Sequence, residues 1–361
     1  MRWLFVIARN SSFTYKGRAV NVKQVGRELG VRYVLEGSVR KAERRVRITT
    51  QLIDASTGVH IWADRFGGTL DDIFDMQDQV ATSVVGAIAR RLEQAEIERA
   101  KHKPTESLDA YDFFLRGMAS FHRRTREAFD QALPLFYRAI DIDPDFASAC
   151  GMAAQCYFWR KINGWMADRA YEIAEGARLA RRAVELGEDD AVALTRGGHS
   201  LAHLAGDLDA GIAFIDRALA LNPNLATAWY LGGTLRAFRG EPEVASEHLA
   251  HAVRLSPLDP EMFRMQIGLA FAHFAAGRID DASRWAEIAL RALPSFLPAI
   301  SITAASYAHA DRMEEARCAM QRLREHDPTL RVSNLKEWIP WRRAEDFARW
   351  TEGLRKAGLP E

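Results

Sequence analysis

The sequence predicts a mainly α-helical fold in which stacked helical hairpins follow a small α/β domain. Prolines recur at a spacing of 34 residues, from Pro223 to Pro257, from Pro260 to Pro294 and from Pro294 to Pro328. A hairpin of this length cannot bury its apolar face alone, so successive copies must stack. Residues 1–102 lack this period, and their short runs of alternating apolar residues predict strands instead.

The composition is that of an ordinary globular protein. Of the 361 residues, 48% are hydrophobic and 27% are charged, and the formal net charge is +1. Cys150, Cys156 and Cys318 form no C-x-x-C pair, so we expect neither a disulfide framework nor a thiolate metal site. The apolar run at residues 3–8 is too short to span a bilayer or to act as a signal segment. A cytoplasmic location without membrane association is therefore predicted.

Residues 1–102 are predicted to form the small α/β domain. After the apolar run at residues 3–8, residues 21–30 have the pattern of an amphipathic helix that ends at Gly30. Three runs rich in β-branched residues then predict two or three antiparallel strands. These runs are residues 31–40, 45–57 and 58–66. A second helix is predicted from its apolar stripe, and residues 103–109 form a linker. The stripe consists of Ile73, Val80, Val84, Ile88 and Leu92.

The clearest repeat covers residues 226–257. Small residues let its two helices approach each other, a glycine makes the turn, and a proline ends the second helix. The residues that stand where tetratricopeptide repeats place these types are Trp229, Gly233, Gly240, Ala245, Leu249, Ala252 and Pro257. The same pattern predicts six units, of which the first two are irregular. Their bounds are 110–144, 147–188, 192–223, 226–257, 263–294 and 297–328. The predicted fold class is a tetratricopeptide α-solenoid.

Residues 329–361 break the repeat pattern. Apolar residues continue there at near-helical spacing, so we predict helices that cap the last repeat. Trp338, Trp341 and Trp350 belong to this segment, and burial in a core is favoured for them over a ligand site.

The N-terminal part resembles the TolB-like α/β domain of bacterial regulatory proteins, in residues 9–20, 25–40 and 52–66. Joined to residues 103–117 and the repeats, it resembles the C-terminal region of bacterial class III adenylate/guanylate cyclases that carry a TolB-like and tetratricopeptide tail. In that family a cyclase domain precedes this region, and related proteins have a winged-helix domain there. The TolB-like domain of the family begins with a further strand and helix. The resemblance therefore implies that Met1 belongs to a truncated frame, a misplaced start or one part of a split protein.

No segment matches the metal-binding carboxylates that a cyclase requires, and no phosphate loop, nucleophile elbow or H-E-x-x-H motif occurs. We therefore predict no catalytic residue and no cofactor. Neither the pair His199 and His203 nor the pair His248 and His251 has a third ligand nearby in sequence, so no metal site is expected. The basic run at residues 40–47 is predicted to be a solvated hairpin, and no nucleic acid partner is expected.

The first helices of the repeats are predicted to line a concave groove. The residues that point inward there are aromatic, apolar or basic, which suits an apolar or mildly acidic peptide. They are Phe158, Trp159, Arg196, His203, Tyr230, Phe238, Arg264, Phe271 and Phe274. The alternative is that several of these aromatic residues form the core between repeats, because the wall of a solenoid must itself be packed.

These features predict a non-enzymatic interaction or regulatory module of a cyclase-type signalling protein, with a protein or peptide in the groove. One alternative is an adenylate cyclase whose catalytic domain lies upstream of residue 1. The other is the sensor half of a winged-helix transcriptional regulator. The sequence leaves open the identity of the partner and whether the chain forms a homo-oligomer.

Overall fold

The computed structural model describes residues 12, 15, 21–42, 45–69, 92, 94–97, 109–257 and 259–361. The chain divides into two compact units, residues 1–102 and 103–361, and each is described by itself. Three parts of the sequence analysis lie outside the described residues. They are the apolar run at residues 3–8, the predicted second helix except for a few of its residues near Leu92, and the start of the linker.

In its described part, the N-terminal unit contains an eight-residue helix and a three-stranded antiparallel sheet, and residues 12, 92 and 94–97 are also helical. Helix α1 (Val22–Leu29) begins at Asn21, whose side chain accepts a hydrogen bond from Lys23 N, and ends at Gly30, which adopts φ +64°. The strands are β1 (Tyr33–Ala42), β2 (Arg45–Asp54) and β3 (His60–Thr69), with β2 in the centre. The predicted antiparallel strands are therefore confirmed. Val46, Leu52 and Ile53 of β2 are buried, whereas Leu35 and Val39 of β1 are exposed.

Residues 110–326 form six antiparallel helical hairpins. The first helices of the hairpins are α2 (Ala110–Phe121), α4 (Ala147–Ile162), α6 (Ala191–Leu204), α8 (Ala226–Arg239), α10 (Met262–Ala275) and α12 (Leu297–His309). The second helices are α3 (Arg126–Ile142), α5 (Arg169–Leu186), α7 (Leu208–Leu221), α9 (Pro242–Leu255), α11 (Ile279–Ala292) and α13 (Met313–His326). The structure confirms the predicted fold class, an α-solenoid of tetratricopeptide type.

Polar residues in the loops start several of these helices. The Asp109 side chain accepts a hydrogen bond from Asp112 N, and the Asp112 side chain accepts one from the Asp109 backbone N–H, which completes a capping box for α2. Thr125, Asp168 and Asp207 accept backbone hydrogen bonds in the same way at the starts of α3, α5 and α7. These side chains satisfy backbone donors that the first helical turn leaves unpaired.

Two glycines show why the repeat needs its small residues. A Cβ atom on Gly233 would lie 3.0 Å from Leu249 Cγ and 3.1 Å from the Ala245 carbonyl oxygen, so glycine lets α8 and α9 approach closely. Gly240 ends α8 with φ +93°, a left-handed conformation that other residues adopt only with strain.

The last part of the chain contains a 3₁₀ turn (Val332–Asn334), the short helix α14 (Leu335–Trp338) and helix α15 (Ala344–Ala357). Helix α15 packs against α12, with Gly353 directly over Ala305, and thereby covers the last repeat. The predicted capping is confirmed, but the near-helical spacing does not form one continuous helix, because residues 339–343 are not helical. Within the described part of the chain, no helix has both the length and the apolar composition needed to cross a bilayer.

Candidate functional site

All nine residues predicted to line the groove lie on the first helices α4, α6, α8 and α10. The structure brings them together, but it buries every one of them, and none exposes more than 6% of its surface. The inner side of the first helices is thus a closed interior in this structure. Whether these residues bind a partner remains a prediction.

Ring contacts connect four successive first helices. The ring centroids of Phe158 and His203 are 4.6 Å apart, those of His203 and Phe238 are 5.9 Å apart, and those of Phe238 and Phe271 are 4.8 Å apart. These separations are typical of packed aromatic pairs. The aromatic residues therefore form one continuous stripe along the inner side of the array.

Trp159 has a different role, because it connects hairpins that are distant in sequence. Its ring lies 5.5 Å from Phe129 of α3, 6.2 Å from Phe263 of α10 and 5.5 Å from Phe296, which precedes α12. The second hairpin therefore contacts the fifth and sixth hairpins directly. This contact encloses the inner side of the array of six hairpins.

A segment of the chain itself covers the rest of the inner side. Residues 335–343, here called the closing segment, comprise α14 and five non-helical residues. The Trp341 ring packs 5.2 Å from Phe238, 5.8 Å from Phe271 and 6.3 Å from Phe274. Trp338 Nε1 donates a hydrogen bond of 3.0 Å to the Ile162 carbonyl oxygen. The tryptophans predicted as core residues are buried in this structure.

The closing segment and the start of α15 pair with the carbonyl ends of the first helices. The backbone N–H of Arg342 donates to the Phe238 carbonyl oxygen at 2.8 Å. Arg343 donates to the Ala275 carbonyl at 3.1 Å, and Arg349 donates to the Phe274 carbonyl at 3.0 Å. The fully buried Asp346 binds both arginines, at 2.7 Å and 3.3 Å. Cations are favourable at the C-terminal ends of helices, where carbonyl groups lack partners.

A cluster of buried charges lies beside the aromatic stripe. Glu261 accepts hydrogen bonds from Arg124, from the hydroxyl of Tyr230 and, at 3.3 Å, from Arg196, and Arg264 Nη1 lies 3.7 Å away. Burial alone would raise the pKa of Glu261, but the three guanidinium groups hold it well below its usual range. Burial lowers the pKa of Arg124 to about 10, so this arginine still carries its charge at neutral pH.

Aromatic faces stabilise two of these cations. The Arg264 guanidinium carbon lies 5.4 Å from the ring centroids of both Trp159 and Tyr230, and that of Arg124 lies 4.3 Å from Phe121. Each such contact contributes about 0.5–2 kcal/mol, whereas removing an ion from water costs several kcal/mol. The aromatic contacts therefore offset only part of the cost of burying these charges, and Glu261 must supply much of the remainder.

Two histidines and a lysine complete the polar lining. His199 and His203 have ring centroids 4.7 Å apart, and burial, together with nearby positive groups, holds the pKa of both rings well below its usual range. Gln155 Nε2 contacts His199 Nδ1 at 3.0 Å and Ser200 Oγ at 2.9 Å. Lys161 donates to the His203 carbonyl oxygen, and burial lowers its pKa to about 8. No group of three residues suited to holding a metal ion occurs within the described residues.

Sequence reasoning missed three parts of this site, namely Glu261, Arg124 and the closing segment. One signal for Glu261 was available, because the proline spacing restarts at Pro260 instead of Pro257, which places extra residues before α10. For Arg124 no sequence signal was available, because its inward direction depends on a left-handed backbone at φ +59° in the turn between α2 and α3.

The fold and its closed aromatic interior define the C-terminal unit as a tetratricopeptide-type α-solenoid. No protein-family profile matches the chain. A curated protein of Rhizobium meliloti (strain 1021), named "Putative adenylate cyclase 3", is 39% identical over 182 residues. That match covers 50% of this chain and 31% of the relative, so the chain spans less than a third of that protein's length.

Solved structures resemble the chain in fold. Human IFIT1, solved as a dimer with m7Gppp-AAAA, matches 69% of this chain and 57% of its own with a TM-score of 0.52 and 16% identity. A thermophilic TPR protein of Thermus thermophilus matches 55% of this chain and 98% of its own, with a TM-score of 0.42 and 18% identity.

Proposed function

We propose that the chain is a non-enzymatic protein-interaction module of a cyclase-type signalling protein, whose repeats bind a partner peptide or protein along the inner side of the first helices. The observation that carries this proposal is the closing segment. It crosses the ends of α4, α8 and α10, places Trp341 among three phenylalanines and forms a main-chain hydrogen bond through Arg342. A surface that accepts a segment of its own chain has the chemistry to accept a peptide from another protein.

The partner must compete with the closing segment, because the nine predicted groove residues are buried while that segment is in place. The contacts of Trp341 and Ile339 suggest what the partner must present. To replace Trp341, the partner must place an aromatic or large aliphatic side chain between Phe238 and Phe271. Ile339 lines the same cavity as those two rings. We infer a partner with at least one large apolar side chain in an extended segment. We also propose that the protein is cytoplasmic and that its residues 1–102 form a TolB-like domain.

A peptide-binding experiment tests this function. A labelled peptide with the sequence of residues 335–343 is titrated into the full chain carrying Trp341→Ala, and its fluorescence anisotropy is recorded. We expect saturable binding to this variant and much weaker binding to the unaltered chain, in which the closing segment occupies the site. Adding Phe271→Leu should weaken binding several-fold, because the peptide tryptophan loses an aromatic contact.

The matched control adds Trp229→Ala instead, since Trp229 packs on His248 and His251 of α9, away from the closing segment. This control should leave peptide binding unchanged. If a folded Trp341→Ala chain does not bind the peptide at any concentration tested, the inner side is a core and the proposal is wrong.

The named relative favours a second candidate, in which this chain corresponds to part of an adenylate cyclase whose catalytic domain lies outside residues 1–361. Under both candidates these residues alone should not form cyclic AMP from ATP and manganese. Cyclic AMP formed above a control without protein would contradict the non-enzymatic assignment.

A further inference from the structure

The buried charge cluster contains more positive than negative charges. Arg124 and Arg264 both rely on Glu261, which is the carboxylate that each approaches within ion-pair distance in the described part of the chain. The two arginine side chains expose only 8% and 6% of their surface. One negative charge is therefore shared by at least two buried positive charges, and an uncompensated buried charge is strongly unfavourable.

Unused hydrogen-bond donors accompany this imbalance. Nη1 of Arg124 and Nη1 of Arg264 are both buried and make no hydrogen bond to any described residue. The 3.7 Å from Arg264 Nη1 to Glu261 Oε1 is an ion-pair distance but is too long for a hydrogen bond. Buried donors without acceptors are rare in folded proteins and call for a specific explanation, such as a bound ion.

A cavity reaches one of these arginines. It has a volume of about 40 Å³ and is lined by Arg264, His199, His203 and Thr234, together with apolar residues. Ile339 of the closing segment forms part of its wall. A cavity of this size holds more than a single water molecule. His203 Nδ1 is also buried and has no hydrogen-bond partner among the described residues.

We propose that this cavity binds a small inorganic anion of about the size of chloride, held by Arg264 and by His203. The anion would supply the negative charge that Glu261 alone cannot provide to both arginines. A water molecule could accept the same hydrogen bonds, but it would leave the charge uncompensated. A cation is disfavoured because Arg264 lines the cavity.

Calorimetric titration of the full chain tests the proposal directly. The protein is prepared in a buffer whose anion is too large for the cavity, such as HEPES, and titrated with sodium chloride at constant ionic strength. We expect one saturable site per chain and a saturable rise of the thermal transition, because a ligand that binds the native state stabilises it. Absence of saturable chloride binding would overturn the proposal.

Two variants locate the site. Arg264→Met removes the charge, and His203→Phe fills the cavity and removes a donor, so each should weaken chloride binding at least tenfold. The matched control is Arg236→Met, because the Arg236 side chain is also buried but has its own carboxylate, Asp216, at 2.6 Å. Chloride affinity should be unchanged in that control. His203→Phe decides the question if Arg264→Met fails to fold, and unchanged affinity in folded His203→Phe would contradict the site.

A titration with sodium phosphate addresses the size of the ligand. Phosphate is larger than chloride and should bind more weakly. Binding of phosphate with no binding of chloride would show that the assignment to a halide-sized anion is wrong.

Discussion

In three of the six hairpins the first and second helices have the same length, yet they are buried to very different extents. Helix α6 buries 12 of its 14 residues, whereas its partner α7 buries 5 of 14. Helix α10 buries 11 and α11 only 4. A second helix packs through one stripe and leaves the opposite face in water. A first helix lies between neighbouring hairpins, and here the closing segment and distant hairpins also cover its inner side.

The polar chemistry of the outer and inner sides of the hairpins differs accordingly. On the outer side, Trp229 packs on His248 and His251 at 4.7 Å and 4.4 Å, and its Nε1 donates to the Pro223 carbonyl. On the inner side, Glu261 stabilises several buried arginines. The comparison indicates that substitutions on the inner side change the stability of the fold through charge and packing. Substitutions on the outer side should change it little.

The largest expected effect comes from removing the buried carboxylate. Glu261→Gln should lower the free energy of unfolding by about 3–5 kcal/mol, because it leaves buried guanidinium groups without their counter-charge. Urea denaturation measures this change. Glu243→Gln is the control, since the Glu243 side chain is 71% exposed and its loss should change stability by less than about 0.5 kcal/mol. Equal effects of the two substitutions would show that Glu261 does not stabilise the cluster.

Truncating an inner aromatic residue should cost nearly as much. Phe271→Ala removes a side chain that contacts both Phe238 and Trp341, and we expect a loss of about 3–5 kcal/mol from the cavity that forms. Tyr230→Ala should behave similarly. The control Tyr171→Ala alters an exposed residue of a second helix and should change the thermal transition little. A folded Phe271→Ala chain with an unchanged transition would mean that this face is not a core in solution.

Two glycine substitutions separate backbone strain from contact with the closing segment. Gly206→Ala and Gly240→Ala both place alanine at positive φ, which costs about 1–2 kcal/mol. At Gly206 an added Cβ would meet nothing within 4 Å, but at Gly240 it would lie 2.4 Å from Arg343 Cδ. Gly240→Ala should therefore lose about 1 kcal/mol more than Gly206→Ala in urea denaturation. Equal losses would indicate that Arg343 does not remain against α8.

The smallest expected effect is a dependence on pH from the outer side. Burial, with Arg236 nearby, lowers the pKa of His248 from 6.5 to about 4. The unfolded chain thus binds a proton at His248 more tightly than the folded chain does. The contribution of the neutral His248 ring to stability is therefore complete above pH 6.5 and is lost as the pH falls toward 4. His248→Gln should flatten the pH dependence of stability in this window by about 1 kcal/mol or less, because solvent screens the site. An identical pH profile for the variant would contradict the shift.

Much of the fold could be predicted because local residue patterns determine it. Proline spacing marked the hairpins, and small residues such as Gly233 and Ala245 marked where two helices touch. In β2 and its neighbours, β-branched residues between turns marked the strands. The burial of the tryptophans after residue 329 could also be inferred, but Pro340 interrupts the helical spacing that the sequence suggests, and the closing segment could not be placed from spacing alone.

The sequence by itself determined the repeat period and the helical hairpins, because these depend on interactions within about 34 residues of chain. Only the tertiary structure decided that the inner side is closed. The contacts that close it join Arg124 to Glu261, Trp159 to Phe296 and Trp338 to Ile162, pairs separated by more than a hundred residues. Such pairs meet only because small rotations between successive hairpins accumulate along the array, and no local pattern in the sequence encodes their sum.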